Sequence, residues 1–317
     1  MSKKTKERRQ KRQKEQKRKN ILIAAGLLIA VIGFGAFLFL ASGNTSQTVS
    51  FPDIHGISFT GDGDQLRVAT HTGLVSYSNG SWSRPDLPIN DYMGYSGTSD
   101  GFYSSGHPGA GSSLVNPIGL VKSDDFGASV QTINFLGETD FHVMGASYFE
   151  DTVYVLNPAP NSLLSAGLHY SLDGGETWTT AQANGLSSQP IQLAVHPSDS
   201  NIVAFATQDG IYLSEDFGDS FSIIDSESTV MTLRFDPNGE RLIYGYQWLY
   251  EYNIETEETT PFSNVPDLSS DQAILYTDIN PKRDEIAVAT SNRDIFISSN
   301  DGDSWVQIGE DGTSVTP

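Results

Sequence analysis

From residue 52 onward the chain is a succession of short apolar runs separated by turn residues. The clearest unit has runs at 191–195, 202–207, 210–214 and 221–224. His196-Pro197-Ser198-Asp199 fills its first gap, and Asp216-Phe217-Gly218-Asp219 sits in its last. Runs this short, bounded by Gly, Pro, Asn and Asp, predict strands. The next unit places runs at 231–235, 242–246 and 249–252 around Asp236-Pro237-Asn238-Gly239. Another follows at 274–279, 285–290 and 295–298 around Asn280-Pro281. Upstream, 55–59, 66–70 and 74–77 form the first unit, with a Gly61-Asp62-Gly63-Asp64 turn. Two longer units lie between, lengthened by insertions at 104–117 and 157–166. Asp62 and Asp64 lack the remainder of a calcium-loop frame, so that turn reads as a plain turn.

A phrase recurs at one point of these units. Ser171-Leu172-Asp173-Gly174-Gly175-Glu176-Thr177-Trp178 is the fullest copy. Ser123-x-Asp125-x-Gly127-x-Ser129-Val130 and Ser214-x-Asp216-x-Gly218-x-Ser220-Phe221 keep its frame. Ser298-x-Asn300-x-Gly302-x-Ser304-Trp305 has an amide at the acid, and Ser78-Asn79-Gly80-Ser81-Trp82 is shortened. The large residues fall at 82, 130, 178, 221 and 305, with gaps of 48, 48, 43 and 84. The last gap is a doubled period, and Asn253-Ile254-Glu255-Thr256-Glu257-Glu258 stands where its missing copy belongs. Gly supplies positive φ and the acid accepts backbone N–H groups, so each phrase is a hairpin tip. The large residue after it is expected to bury area between neighbouring sheets. A β-rich repeat of this length predicts four-stranded blades, and six of them account for every gap.

The phrase is the Asp-box, and the chain resembles the Asp-box (BNR-repeat) propellers, which include sialidase-like and sortilin-like members. Asp53-Ile54-His55-Gly56, His71-Thr72-Gly73-Leu74, Asp91-Tyr92-Met93-Gly94 and Ser105-Gly106-His107-Pro108 also look like a bacterial group of glycosyl-hydrolase-like propellers. That second resemblance covers roughly residues 52–180 and implies a lineage linked to glycan hydrolysis. Asp-boxes mark a fold and do not specify an activity.

The fold expected is therefore all-β, a six-bladed β-propeller preceded by one N-terminal transmembrane helix. The first 20 residues carry 11 Lys or Arg against Glu7 and Glu15, and residues 21–41 carry no charge. At about 1.5 Å per residue that run reaches across a bilayer core. The basic flank should stay in the cytoplasm, with the remainder outside the cell membrane. The organisation expected is a basic cytoplasmic tail (1–20), an anchor (21–42), a linker (43–51), the propeller (52–310) and a tail (311–317). A cleaved signal peptide ending near Ala41-Ser42-Gly43 is the rival reading of the same run. The chain has no Cys, which excludes a disulfide or a lipidated cysteine.

After residue 42, eight basic residues face 37 acidic ones, a net charge of −29. Such a surface repels nucleic acid. It also suits a saline or alkaline exterior, where acidic surfaces stay hydrated.

Candidate chemistry concentrates in the first half of the ring. Asp53-x-His55, Asp91-x-Met93 and Asp140-x-His142 should each open an innermost strand, while His71 and His107 follow second strands. This puts His55, His71, His107 and His142 on one face around the channel, with His169 and His196 elsewhere. Converging polar groups in a concave mouth define a candidate binding site for a glycan or peptide. Tyr92, Tyr95 and Phe141 stand nearby as candidate sugar-stacking rings.

Four imidazoles also suit zinc, copper or nickel, and Met93 would favour copper. Asp53, Asp91 and Asp140 are the candidate catalytic carboxylates, because glycoside hydrolysis needs two about 5–10 Å apart. Loop capping competes with that role for each of them. Sialidase chemistry is disfavoured: a sialidase grips its substrate with three arginines and carries an Arg-Ile-Pro-like phrase. The six arginines beyond residue 42 include none in these loops.

Overall fold

The structure, a computed structural model, describes residues 48–225 and 229–315. Every regular element among them is a β-strand. Six antiparallel sheets form a ring. Their innermost strands, in chain order, are Gly56–Phe59, Ser96–Gly97, Met144–Ala146, Pro190–Val195, Thr232–Phe235 and Ile274–Ile279. Each contacts the next and the last contacts the first, which closes a six-bladed β-propeller. The expected transmembrane segment, residues 21–42, lies outside the described residues. No helix among the described residues is long and apolar enough to cross a membrane.

Each sheet buries both faces against its neighbours, so the core consists of seams between blades. Ile57, Val68 and Val75 of the first blade pack with Ala287, Ala289 and Ile295 of the last. Tyr154 of the third packs with Val203 and Phe205 of the fourth. Strands buried on both faces read as continuous apolar runs such as Ile286–Thr290, all five residues of which are buried.

The recurring phrase folds the same way each time. In the third blade Ser171 Oγ accepts Gly175 N–H at 2.8 Å and donates to Asp173 Oδ1 at 2.7 Å. Asp173 in turn accepts Thr177 N–H at 2.8 Å and its hydroxyl at 2.6 Å. The copies at Asp125, Asp216 and Asn300 repeat the set. The shortened copy is a two-residue hairpin, with Asn79 at φ 49° and Gly80 at φ 75°. Where the phrase has decayed, Asn253 Oδ1 accepts the N–H groups of Glu255 and Thr256 and holds a tight turn instead.

The large residue after the box is buried in one blade, as Phe221, and only partly buried in others. Trp178 is half-buried, donates its indole N–H to Gly175 O at 3.1 Å and leans on Phe135. It lies beside an outermost strand, where solvent reaches one side of the ring.

Both ends of the described chain meet at the last blade. Thr313–Ser314 is its fifth strand, and Ser50 bridges Thr313. Phe51 N–H donates to Gly312 O at 2.8 Å, and Ser314 N–H to Val49 O at 2.8 Å. Segments that read as linker and tail thus clasp the first and last blades, with Phe51 fully buried against Trp82.

Candidate functional site

The first three blades build one end of the channel. Residues 53–55 lead directly into the first innermost strand. The second blade differs from the sequence expectation: its innermost strand starts at Ser96, four residues beyond Tyr92. Asn90–Tyr92 pairs with Gly106–Pro108 in a two-stranded ribbon, with Asp91 opposite His107. Gly106 makes this possible. Its φ is 132°, and a Cβ there would lie 2.0 Å from the Asp91 carbonyl oxygen. The ribbon delivers Asp91 to the first blade and His107 to the third.

Two histidine–carboxylate groups result. In the first, His71 Nδ1 lies 2.6 Å from Asp91 Oδ2 and 3.2 Å from His55 Nε2. His71 Nε2 lies 3.1 Å from Asp53 Oδ2, so this ring bridges two carboxylates. His55 and Asp91 are mostly buried, with side chains 13% and 14% exposed. In the second group His142 Nε2 lies 2.7 Å and His107 Nε2 3.3 Å from Asp140 Oδ2. The other ring nitrogen of His107 lies 2.7 Å from Asn116 Oδ1, on the insertion.

One carboxylate oxygen in each group is short of a donor. Asp91 Oδ1 and Asp140 Oδ1 are buried without a hydrogen bond. His55 Nε2 lies 3.4 Å from the former, longer than an ordinary N–H···O bond. Burial holds the His55 imidazole below the usual histidine range against the opposing pull of Asp91.

The two groups face one cavity of about 130 Å³, whose lining includes His55, Met93, His142, Gln192, Arg234 and Tyr276. Gln192, Arg234 and Tyr276 were not singled out from sequence. Their only sequence signal is a polar or charged group inside a run otherwise suited to an innermost strand. Arg234 Nε lies 2.7 Å from Asp278 Oδ1, and Asp278 Oδ2 accepts Phe59 N–H at 2.7 Å. Burial raises the Asp278 carboxyl despite the guanidinium beside it.

Two of the three aromatic candidates are buried in the core. Tyr92 is fully buried, edge-on to Phe102, and burial raises its phenol. Phe141 is also fully buried, edge-on to Phe135. Tyr95 bonds Ser58 Oγ at 2.8 Å, and burial pushes its phenol up to about 12. Tyr95 lines the cavity, whereas Tyr92 and Phe141 do not. Met93 lines it too.

His169 and His196 lie away from the mouth, as expected. The first sits in a strand with Nε2 2.8 Å from Ser165 O, and the second has Nε2 3.0 Å from Gly239 O. Asp62 forms an Asx turn by accepting Asp64 N–H at 3.0 Å.

Solved structures share this architecture. A GH74 enzyme from Niastella koreensis superimposes with TM-score 0.55 at 17% identity, over 82% of this chain and 45% of its own. The GH74 xyloglucanase from Xanthomonas campestris gives 0.50 at 14%, over 83% and 47%. The Cps50 (Swd1) propeller domain from Myceliophteria thermophila gives 0.52 at 11%, over 85% and 89%. The chain spans under half the length of the two GH74 enzymes. Identities this low establish the propeller fold alone. No protein-family model and no curated protein matches the sequence.

Proposed function

We propose that this chain is a membrane-anchored, extracytoplasmic propeller of Asp-box lineage that holds a glycan or peptide ligand at the channel mouth. The observation that carries the reading is convergence. Asp53, Asp91, Asp140 and four of the six histidines occupy one mouth, while the fourth to sixth blades contribute none of them. A cavity near 130 Å³ is smaller than the roughly 300–1,000 Å³ that encloses a drug-sized ligand. The ligand therefore inserts one polar group and rests the remainder on the exposed rings of His107 and His142.

Glycoside hydrolysis is the alternative reading, supported by the sequence resemblance and by two largely buried carboxylates at one mouth. Each of those carboxylates already lies against imidazoles, which favours binding over acid catalysis. The test uses the full-length chain in detergent on a glycan array and a peptide array, with reducing-sugar release measured on the glycans it binds. Binding without release is expected. It should fall at least tenfold in His107→Ala/His142→Ala, with Tm nearly unchanged. Undiminished binding by that variant overturns the site, and sugar release by the wild type favours the hydrolase.

A further inference from the structure

The His55–His71–Asp91 group does more than line a mouth. Its three donor atoms lie within 4.8 Å of one another. Their separations are 2.6 Å (His71 Nδ1 to Asp91 Oδ2), 3.2 Å (His71 Nδ1 to His55 Nε2) and 3.4 Å (His55 Nε2 to Asp91 Oδ1). Ligands about 2.0–2.2 Å from a tetrahedral ion sit roughly 3.3–3.6 Å from each other. The nitrogen–nitrogen distance already approaches that figure. His55 and His71 each meet a different oxygen of the one carboxylate, and the short His71–Asp91 contact needs to open by less than about 1 Å.

Hydrogen bonding alone leaves this arrangement incomplete. A proton on His71 Nδ1 is shared between Asp91 Oδ2 and the lone pair of His55 Nε2, and the buried Asp91 Oδ1 is still without a donor. A cation among the three atoms would satisfy both imidazole lone pairs and the carboxylate together. We propose that His55 Nε2, His71 Nδ1 and the Asp91 carboxylate bind a divalent first-row transition ion, with a further coordination position open toward the cavity.

The surroundings support the assignment. With Nδ1 on the ion, His71 Nε2–H points at Asp53 Oδ2, 3.1 Å away, which is the carboxylate–histidine–metal relay that orients metal-binding imidazoles. Two imidazoles and a carboxylate suit zinc, nickel or copper better than magnesium or calcium. Met93 also lines the cavity that His55 lines. Asp91 reaches the first blade only through the glycine-dependent ribbon, so the second blade supplies one ligand to a site otherwise built by the first.

The experiment is a calorimetric titration of the EDTA-stripped full-length chain in detergent with zinc chloride, then with nickel and copper salts, followed by elemental analysis after dialysis. One equivalent of at least one of these ions is expected. His71→Ala and Asp91→Asn should each weaken it at least tenfold. Asp53→Asn, which touches only His71 within the site, should weaken it about 10- to 100-fold. Stripped variants should melt near the wild type, separating a lost ligand from a lost fold. If His71→Ala fails to fold, Asp53→Asn carries the test, because its side chain is more than half exposed. His107→Ala/His142→Ala should keep the equivalent, which separates this site from the organic-ligand site. No uptake of any of the three ions overturns the proposal. Undiminished uptake in both His71→Ala and Asp91→Asn, or its loss in His107→Ala/His142→Ala alone, does the same.

Discussion

At the scale of single residues, the most informative group is the Asp173 carboxylate. Bonds from the Thr177 hydroxyl and N–H and from Ser171 hold its carboxyl at about 2. Asp125 and Asp216 are lowered by the same kinds of bond. A carboxyl depressed on folding adds stability above its unfolded value near 3.9, and that stability drains as pH falls toward the folded value. Acid should therefore loosen these turns between about pH 4 and pH 2. Asn300 already plays the part without a titrating group, accepting Ser304 N–H at 3.0 Å and sending its amide to the Ser304 hydroxyl. Replacing Asp125, Asp173 and Asp216 together by Asn should leave Tm at pH 7 within a few degrees of wild type. The drop in Tm between pH 5 and pH 2.5 should be smaller than in wild type. The three Ala replacements should lower Tm at both pH values. Equal acid sensitivity of the wild-type and Asn proteins would show that the boxes do not set it.

At the scale of elements, the polar contacts between innermost strands bear on stability as much as the apolar seams. Asp278 in the sixth blade takes Arg234 from the fifth and the Phe59 N–H from the first. Arg234 also donates to Gly97 O in the second at 3.2 Å. Four blades are tied through two side chains, of which Asp278 is almost fully buried. Removing one partner of a buried ion pair strands the other, at a cost of about 3–5 kcal/mol. Asp278→Ala should lose that much in chemical denaturation. Arg234→Met/Asp278→Leu should recover most of it, since paired apolar replacement removes both desolvation penalties. A loss below about 1 kcal/mol for Asp278→Ala would mean that water reaches the pair.

At the scale of the whole molecule, the segment before the proposed anchor and the chain after it have opposite charge. The first 20 residues are strongly basic, and the residues beyond 42 carry a net −29. An acidic surface avoids the anionic cytoplasmic leaflet, while the basic segment is drawn to it, which agrees with an N-terminus inside and a propeller outside. Expressed with its own N-terminus, the chain should stay with membranes through a high-salt wash and be released by detergent. A soluble mature form beginning near Ser42 or Gly43 would show that residues 21–42 act as a cleaved signal instead.

Blade number and hairpin tips were legible in the chain because both are local. A period near 45 residues needs only the count of repeats, and Ser-x-Asp-x-Gly closes its turn within a few residues. The shared face of the four histidines was legible for a related reason, since equivalent positions in successive blades fall at one end of the ring. Three features depended on contacts between distant segments. The ribbon of Asn90–Tyr92 with Gly106–Pro108 displaces Asp91 from the innermost strand, and its register follows from a backbone approach that only glycine allows. The burial of Tyr92 and Phe141 follows from which way each ring turns once neighbouring sheets pack, and pattern alone left both as candidate stacking surfaces. The division of the histidines into two carboxylate-centred groups is likewise tertiary. A side chain's partner across a blade seam is set by the twist and spacing of two sheets, and no spacing along one strand encodes it.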